Sequence, residues 1–145
     1  MKGLIQRVKR ASVTIDGEKH SEINQGILVL LGVVKGDSEE NAQKLADKIS
    51  KLRIFEDENE KMNLSVQDIK GESLVVSQFT LASDCKKGTR PSFDKAEEPK
   101  RANELYEYFC KLLREKNIPV QTGVFGAMMQ VELINDGPVT FMVEM

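Results

Sequence analysis

The 145-residue sequence predicts an α+β domain in which two main helices pack on a curved, mainly antiparallel β-sheet or barrel-like core. Three observations predict it. Two stretches carry apolar residues at helical spacing, several others alternate apolar and polar residues as half-buried strands do, and the two helices are too few for an alternating βαβ series. No internal repeat and no linker rich in Pro, Gly or Ser divides the chain, so residues 1–145 are expected to form a single domain.

The first helix is expected over 38–52, where Ala42, Leu45, Ala46, Ile49 and Leu52 form one stripe. Asp37 or Ser38 offers the capping oxygen, and Glu39 and Glu40 suit the positive end of the helix dipole. The second is expected over about 97–116, with Ala102, Leu105, Tyr106, Phe109, Leu112 and Leu113 inward and Pro119 just beyond its end. Ile27 to Leu31 and Leu74 to Val76 are short apolar runs of the kind buried on both faces. Met129, Val131 and Leu133 alternate with polar residues, as do Val139, Phe141 and Val143. Leu4 to Val8, Ala11 to Ile15 and Val120 to Val124 are further strands, with Asp16-Gly17 as a hairpin turn. Asn135-Asp136-Gly137-Pro138 reads as a second hairpin turn, and the acidic segment from Phe55 to Glu60 as a solvated one.

Composition narrows the function. A net charge of −2 and a pI near 5.6 argue against a protein that coats nucleic acid electrostatically, so any RNA contact must be local. Lys2, Arg7, Lys9 and Arg10 at the start, and Lys86, Lys87 and Arg90 in a turn-like segment, could supply it or could be solvated surface charge. No apolar run approaches the ~20 residues that span a bilayer. Cys85 and Cys110 are far apart and no leader precedes them, so a soluble protein of the reducing cytoplasm is expected.

Familiar catalytic sets are missing. His20 is the only histidine and lies in a polar stretch, which removes the usual Ser-His-Asp and Cys-His arrangements. One His and two separated Cys make a metal site improbable, and neither GxGxxG nor GxxxxGK[ST] occurs, so no cofactor is expected. If the protein is an enzyme, its catalysis must come from backbone dipoles and hydroxyls, with the substrate itself as a further source. Ser77-Gln78-Phe79-Thr80-Leu81 puts two hydroxyls and an amide at a strand end; it reads either as a site or as a strand running into a turn.

Ser77-Gln78-Phe79-Thr80-Leu81, Lys87-Gly88-Thr89-Arg90-Pro91-Ser92-Phe93, Phe125-Gly126-Ala127-Met128-Met129 and Asn135-Asp136-Gly137-Pro138-Val139-Thr140 occur in that order. With Ile5-Gln6-Arg7-Val8 and Asn63-Leu64-Ser65, they make the chain resemble, over essentially its whole length, the D-aminoacyl-tRNA deacylase family. The resemblance implies a homodimer acting on the 3′ end of aminoacyl-tRNA, with no membrane or DNA partner. It implies that Gly137-Pro138 is cis and reaches the partner's site, where its carbonyl oxygens exclude an L side chain, and that Arg7 holds this loop across the dimer. Ser77, Gln78, Phe79 and Thr80 would surround the scissile ester, with main-chain N–H groups near Phe79 and Thr80 stabilising the oxyanion. Leu81, Phe125, Gly126 and Met129 would help bind substrate, the last three around the terminal adenosine. Either water attacks directly, assisted by the ribose 2′-hydroxyl, or Thr80 acts as nucleophile. A non-catalytic RNA-end binder and a general small-molecule esterase are the competing readings.

Overall fold

A computed structural model describes residues 1–145. Its backbone is organised by one long strand, β1 (Lys2–Ile15), which joins the two expected segments Leu4 to Val8 and Ala11 to Ile15. The Asp16-Gly17 turn, with φ of 50° and 78°, reverses the chain into β2 (Glu18–Ile23), antiparallel to the second half of β1. Positive φ at both positions matches the right-handed twist of the flanking strands. β3 (Gly26–Gly32) returns along the first half of β1, pairing Lys2 with Gly32 and Val8 with Gly26.

Helix α1 (Glu39–Lys51) begins at Ser38, whose N–H donates to Asn41 Oδ1 at 2.9 Å, and buries Ala42, Leu45, Ala46 and Ile49. A small hairpin follows, β4 (Phe55–Glu56) and β5 (Met62–Leu64). Its turn is held by the Asp57 carboxylate, which accepts from the N–H groups of Asn59 and Lys61 at 2.8 and 3.1 Å. The segment expected as a solvated turn is therefore a turn with short strands at its feet. β6 (Glu72–Ser77) lies parallel to β3; a single 3₁₀ turn (Phe79–Ala82), α2 (Pro99–Glu115) and β7 (Val120–Thr122) follow, β7 being parallel to β6.

The sheet is thus mixed: antiparallel around β1, with a parallel limb β3-β6-β7. The helices explain the limb, because parallel neighbours need long crossovers and α1 and α2 sit in the two that are available. The main core lies between sheet and helices and includes Ile5, Leu45, Phe109 and Leu113. A second cluster, with Val8, Val13, Leu28 and Leu74, fills the inside of the curl. There β2 folds toward β7, and the Ser21 hydroxyl donates to Thr122 O at 2.8 Å. Full burial of each such aliphatic side chain contributes about 1.5–3 kcal/mol. No helix is long and apolar enough to cross a membrane.

One expectation is overturned. Asn135-Asp136-Gly137-Pro138 is not a hairpin turn: β8 (Gln130–Glu144) is a single strand antiparallel to β1 on both sides of it. Gln6 faces Thr140 and Val8 faces Asn135, so the intervening residues of β8 bulge out of the ladder. Asn135 closes the bulge, its Oδ1 accepting from Val139 N–H at 3.0 Å and its Nδ2 donating to Thr140 Oγ1 at 2.9 Å. Local turn chemistry is the same in a bulge and in a reversal; only pairing with β1 separates them.

Candidate active site

At the end of β6 the chain bends sharply. Gln78 N–H donates to Leu31 O at 2.8 Å, Leu81 N–H to Gln78 O at 3.2 Å, and Ser83 N–H to Thr80 O at 3.1 Å. The N–H groups of Phe79 and Thr80, at the start of the 3₁₀ turn, donate to no acceptor in the chain. A glycine makes this close seating possible: a Cβ at Gly32 would lie 2.9 Å from Leu81 Cβ and 3.2 Å from Gln78 O. Sequence reading missed Gly32, whose only signal was its position closing the apolar run of β3.

Ser77, Phe79, Phe125 and Gly126 converge on a cleft of about 510 Å³, which Lys35 and Phe93 also line. Phe79 is 54% exposed and meets Phe93 edge-on, with ring centroids 5.1 Å apart. Phe125 tilts against Tyr106 at 6.1 Å. Aromatic rings (Phe79, Phe93, Phe125) and polar groups (Ser77, Lys35) thus line the same cleft. Gln78 Nε2 donates to Thr80 Oγ1, and no histidine or carboxylate is hydrogen-bonded to that hydroxyl.

Of the other expected residues, Gln78 and Thr80 belong to the turn but do not line the cleft, and Leu81 and Met129 lie behind it. Leu81 is half-buried and packs at Gly32, backing the turn. Met129 supports the Phe125 loop: its Sδ accepts from Val124 N–H at 3.4 Å, and a Cβ at Gly123 would lie 2.5 Å from it. His20 lines a larger opening of about 680 Å³ among β2, α2 and β7, with Tyr106, Cys110 and Arg114. Its greater size is outweighed by its lining, which holds neither the hydroxyl-bearing turn nor its free N–H groups. Burial pushes the Cys110 thiol up to about 12, so it stays protonated, and burial likewise raises the Tyr106 hydroxyl, which donates to Val75 O at 2.7 Å. No group of His, Cys, Asp or Glu converges in metal-binding geometry.

Arg7, Gly137 and Pro138 form a separate feature that does not line this chain's own cleft. The Gly137-Pro138 bond is cis, both residues are exposed, and Gly137 has φ 130°. Arg7 is buried; its Nε donates to Asp136 O at 3.0 Å and its Nη1 to Ile54 O at 2.8 Å, so within one chain it ties the bulge to the segment before β4. A Cβ on Gly137 would lie 2.8 Å from Val139 Cγ2 and 3.1 Å from Arg7 Nη2.

A curled α+β fold that gathers free main-chain donors, hydroxyls and aromatic rings at a strand end has the parts of a small hydrolase. The chain belongs to the D-Tyr-tRNA(Tyr) deacylase family, whose model matches residues 4–144. It is 61% identical to a D-aminoacyl-tRNA deacylase of Geotalea daltonii, over 99% of this chain and 96% of that one. It is 62% identical to one of Persephonella marina, over 99% and 97%. A solved structure called "c-Myc DNA Unwinding Element Binding Protein" superposes with a TM-score of 0.95 at 44% identity, covering 100% of this chain and 99% of that one. A second, of a probable eukaryotic D-amino acid tRNA deacylase, gives 0.81 at 17% identity over 99% and 98%, a likeness of fold alone.

Proposed function

We propose that this protein hydrolyses the ester joining a D-amino acid to the 3′ end of tRNA. The observation that carries the reading is the pair of unpartnered N–H groups on Phe79 and Thr80, on the turn whose Ser77 and Phe79 line the cleft with Phe125. Full-length relatives named D-aminoacyl-tRNA deacylase, at about 60% identity, support the substrate class. In this reading the terminal adenine stacks at Phe125 beside Gly126, with Met129 behind, and the acyl group lies along Ser77 to Thr80. Water attacks the ester carbonyl, the carbonyl oxygen becomes an oxyanion held by the two N–H groups, and the bond to the ribose oxygen breaks. The proton from water ends on that leaving oxygen. Each such donor is typically worth about 2.7–4 kcal/mol. The substrate's 2′-hydroxyl orients the water, since the chain offers no base for Thr80.

Chiral selection is assigned to the Gly137-Pro138 corner acting in the cleft of a second copy. The outer edge of β8 has no partner strand, and Ile134, Phe141 and Met142 on it are 40–46% exposed. A long apolar edge of this kind calls for a cover, and a homodimer supplies one while carrying each corner to its neighbour. Main-chain oxygens facing the substrate Cα would then clash with an L side chain and pass a D side chain or the hydrogen of glycine, so glycyl-tRNA would also be cleaved. Discrimination by clash suits mirror images whose attractive contacts are nearly equal, and the activity belongs to editing after aminoacylation in the cytoplasm.

Incubation with D-tyrosyl-tRNA and L-tyrosyl-tRNA tests the reading. Rapid loss of the D ester alone is expected. Loss of neither would leave an RNA-end binder, and equal loss of both a general esterase. The name of the first solved structure raises DNA binding as a second reading; tight binding of duplex DNA with no deacylation would favour it.

A further inference from the structure

The basic segment near residue 88 is a loop closed at its base as a hairpin and standing on the rim of the cleft. Asp84 and Ser92 exchange both main-chain hydrogen bonds, at 2.8 and 2.9 Å, and close its base. Lys86 N–H donates to the Asp84 carboxylate at 2.9 Å, and Gly88 turns the tip with φ 69°. One foot leaves the 3₁₀ turn that bears Phe79 and Thr80. The other enters Phe93, which packs on Phe79 and lines the cleft.

The charge at the tip is unbalanced. Lys86, Lys87 and Arg90 are exposed, and none lies within 4.0 Å of a carboxylate, whereas Arg7, Arg10 and Lys95 all have such partners. Residues 85–91 contain no acid; the nearby carboxylates of Asp94, Glu97 and Glu98 lie beyond Phe93. In a chain of net charge −2, three free cations within five residues, on a loop closed by the Asp84–Ser92 bridge, form the local footprint a polyanion needs. From base to tip the hairpin is four residues, at most about 14 Å extended. Each strand of a B-form duplex carries a charge roughly every 3.4 Å of axis and a single strand is more extended, so this reach is commensurate with a few phosphates at most.

We infer that the Lys86-Lys87-Arg90 hairpin holds the phosphates of the RNA strand leading into the cleft and so sets the affinity for whole tRNA without taking part in ester cleavage. This rests on the deacylase reading for its substrate. It adds a surface that recognises charge, not base sequence, and that separates tRNA from a short ester carrying the same reactive end.

The test compares wild type with a Lys86→Gln, Lys87→Gln, Arg90→Gln triple variant. Binding of uncharged tRNA is measured from 50 to 200 mM salt, with hydrolysis of D-tyrosyl-tRNA and of 3′-O-(D-tyrosyl)adenosine alongside. Loss of three phosphate contacts on a single strand makes the log–log salt dependence of binding shallower by about 2. The variant's KM for the tRNA ester is expected to rise at least tenfold at low salt, with kcat/KM on the adenosine ester unchanged. An unaltered salt slope would overturn the inference. So would an equal loss on both esters, which would mean that the hairpin acts on the cleft through Phe93. If wild type cleaves neither ester, the deacylase reading fails by itself, and the tRNA-binding measurement still decides the role of the hairpin.

Discussion

Arg7 and Asp136 meet at 3.0 Å, the guanidinium Nε donating to the main-chain carbonyl that precedes Gly137. The same side chain reaches Ile54 O, so one buried cation sets the bulge of β8 against the segment entering β4. Arg7→Lys supplies one ammonium where a planar fork spans two acceptors. Hydrogen bonds to a charged donor contribute about 1.5–3 kcal/mol each, so Arg7→Lys should lower unfolding free energy by about 2–3 kcal/mol in urea titration. Activity on D-tyrosyl-tRNA should fall beyond that loss of folded protein.

For Gly137→Ala the steric conflict lies first within its own chain. The new methyl would lie 2.8 Å from Val139 Cγ2, and φ 130° is strained for any L side chain, a cost of about 1–3 kcal/mol. The cooperative fold should persist in thermal melts while D-ester turnover falls at least tenfold. Normal turnover would remove this corner from the mechanism.

Gly32→Ala separates the turn from its support. A Cβ there would press on Leu81 Cβ and Gln78 O, one bonded directly to the backbone and the other part of it, so that neither can swing aside. The turn must shift by several tenths of an ångström, moving the Phe79 and Thr80 N–H groups away from the position proposed for the oxyanion. The expected signature in steady-state kinetics is a drop in kcat much larger than any change in KM.

Thr80→Ala distinguishes the two routes of attack. The Thr80 hydroxyl accepts from Gln78 and touches no base, so direct attack by water should leave a measurable fraction of kcat in single-turnover assays. Abolished cleavage with tRNA binding intact would point to an acyl-threonine intermediate.

Cys110 makes alkaline stability predictable. Burial raises its folded pKa from about 9 to about 12, so its contribution is complete below pH ~9 and is lost as pH rises toward 12. From this thiol the slope averages about 1 kcal/mol per pH unit between pH 9 and 10 and approaches about 1.4 only above pH ~10. The Tyr106 hydroxyl, also raised, adds to the loss above pH ~10. Chemical denaturation of Cys110→Ala across pH 8–10 should show a flatter profile than wild type.

Both helices were legible within two residues of their ends, because stripe and cap are local: Ala42, Leu45 and Ile49 face inward as expected, and Ser38 caps. The continuous apolar runs at Ile27 to Leu31 and Leu74 to Val76 already carried the mark of strands buried on both faces, and they form the parallel pair β3 and β6. The site was half legible. Ser77, Phe79, Phe125 and Gly126 do share a cleft, but Leu81 and Met129 back it instead of lining it, and Gly32 was silent until its neighbours were known.

By itself the sequence determined where the helices begin and end, that the apolar and alternating segments extend, that Asp16-Gly17 turns, and that no histidine-based triad is available; the polar strand β2 and the small β4-β5 hairpin carried no such pattern. Those properties depend on a residue and its near neighbours along the chain. Tertiary structure alone decided that residues 130–144 form one strand with a bulge, that Arg7 grips Asp136, and that the turn after Ser77 comes to rest beside Phe125, 48 positions later. Each of these comes from pairing between distant segments, where identical local turn chemistry is compatible with more than one partner and the ladder along β1 selects among them.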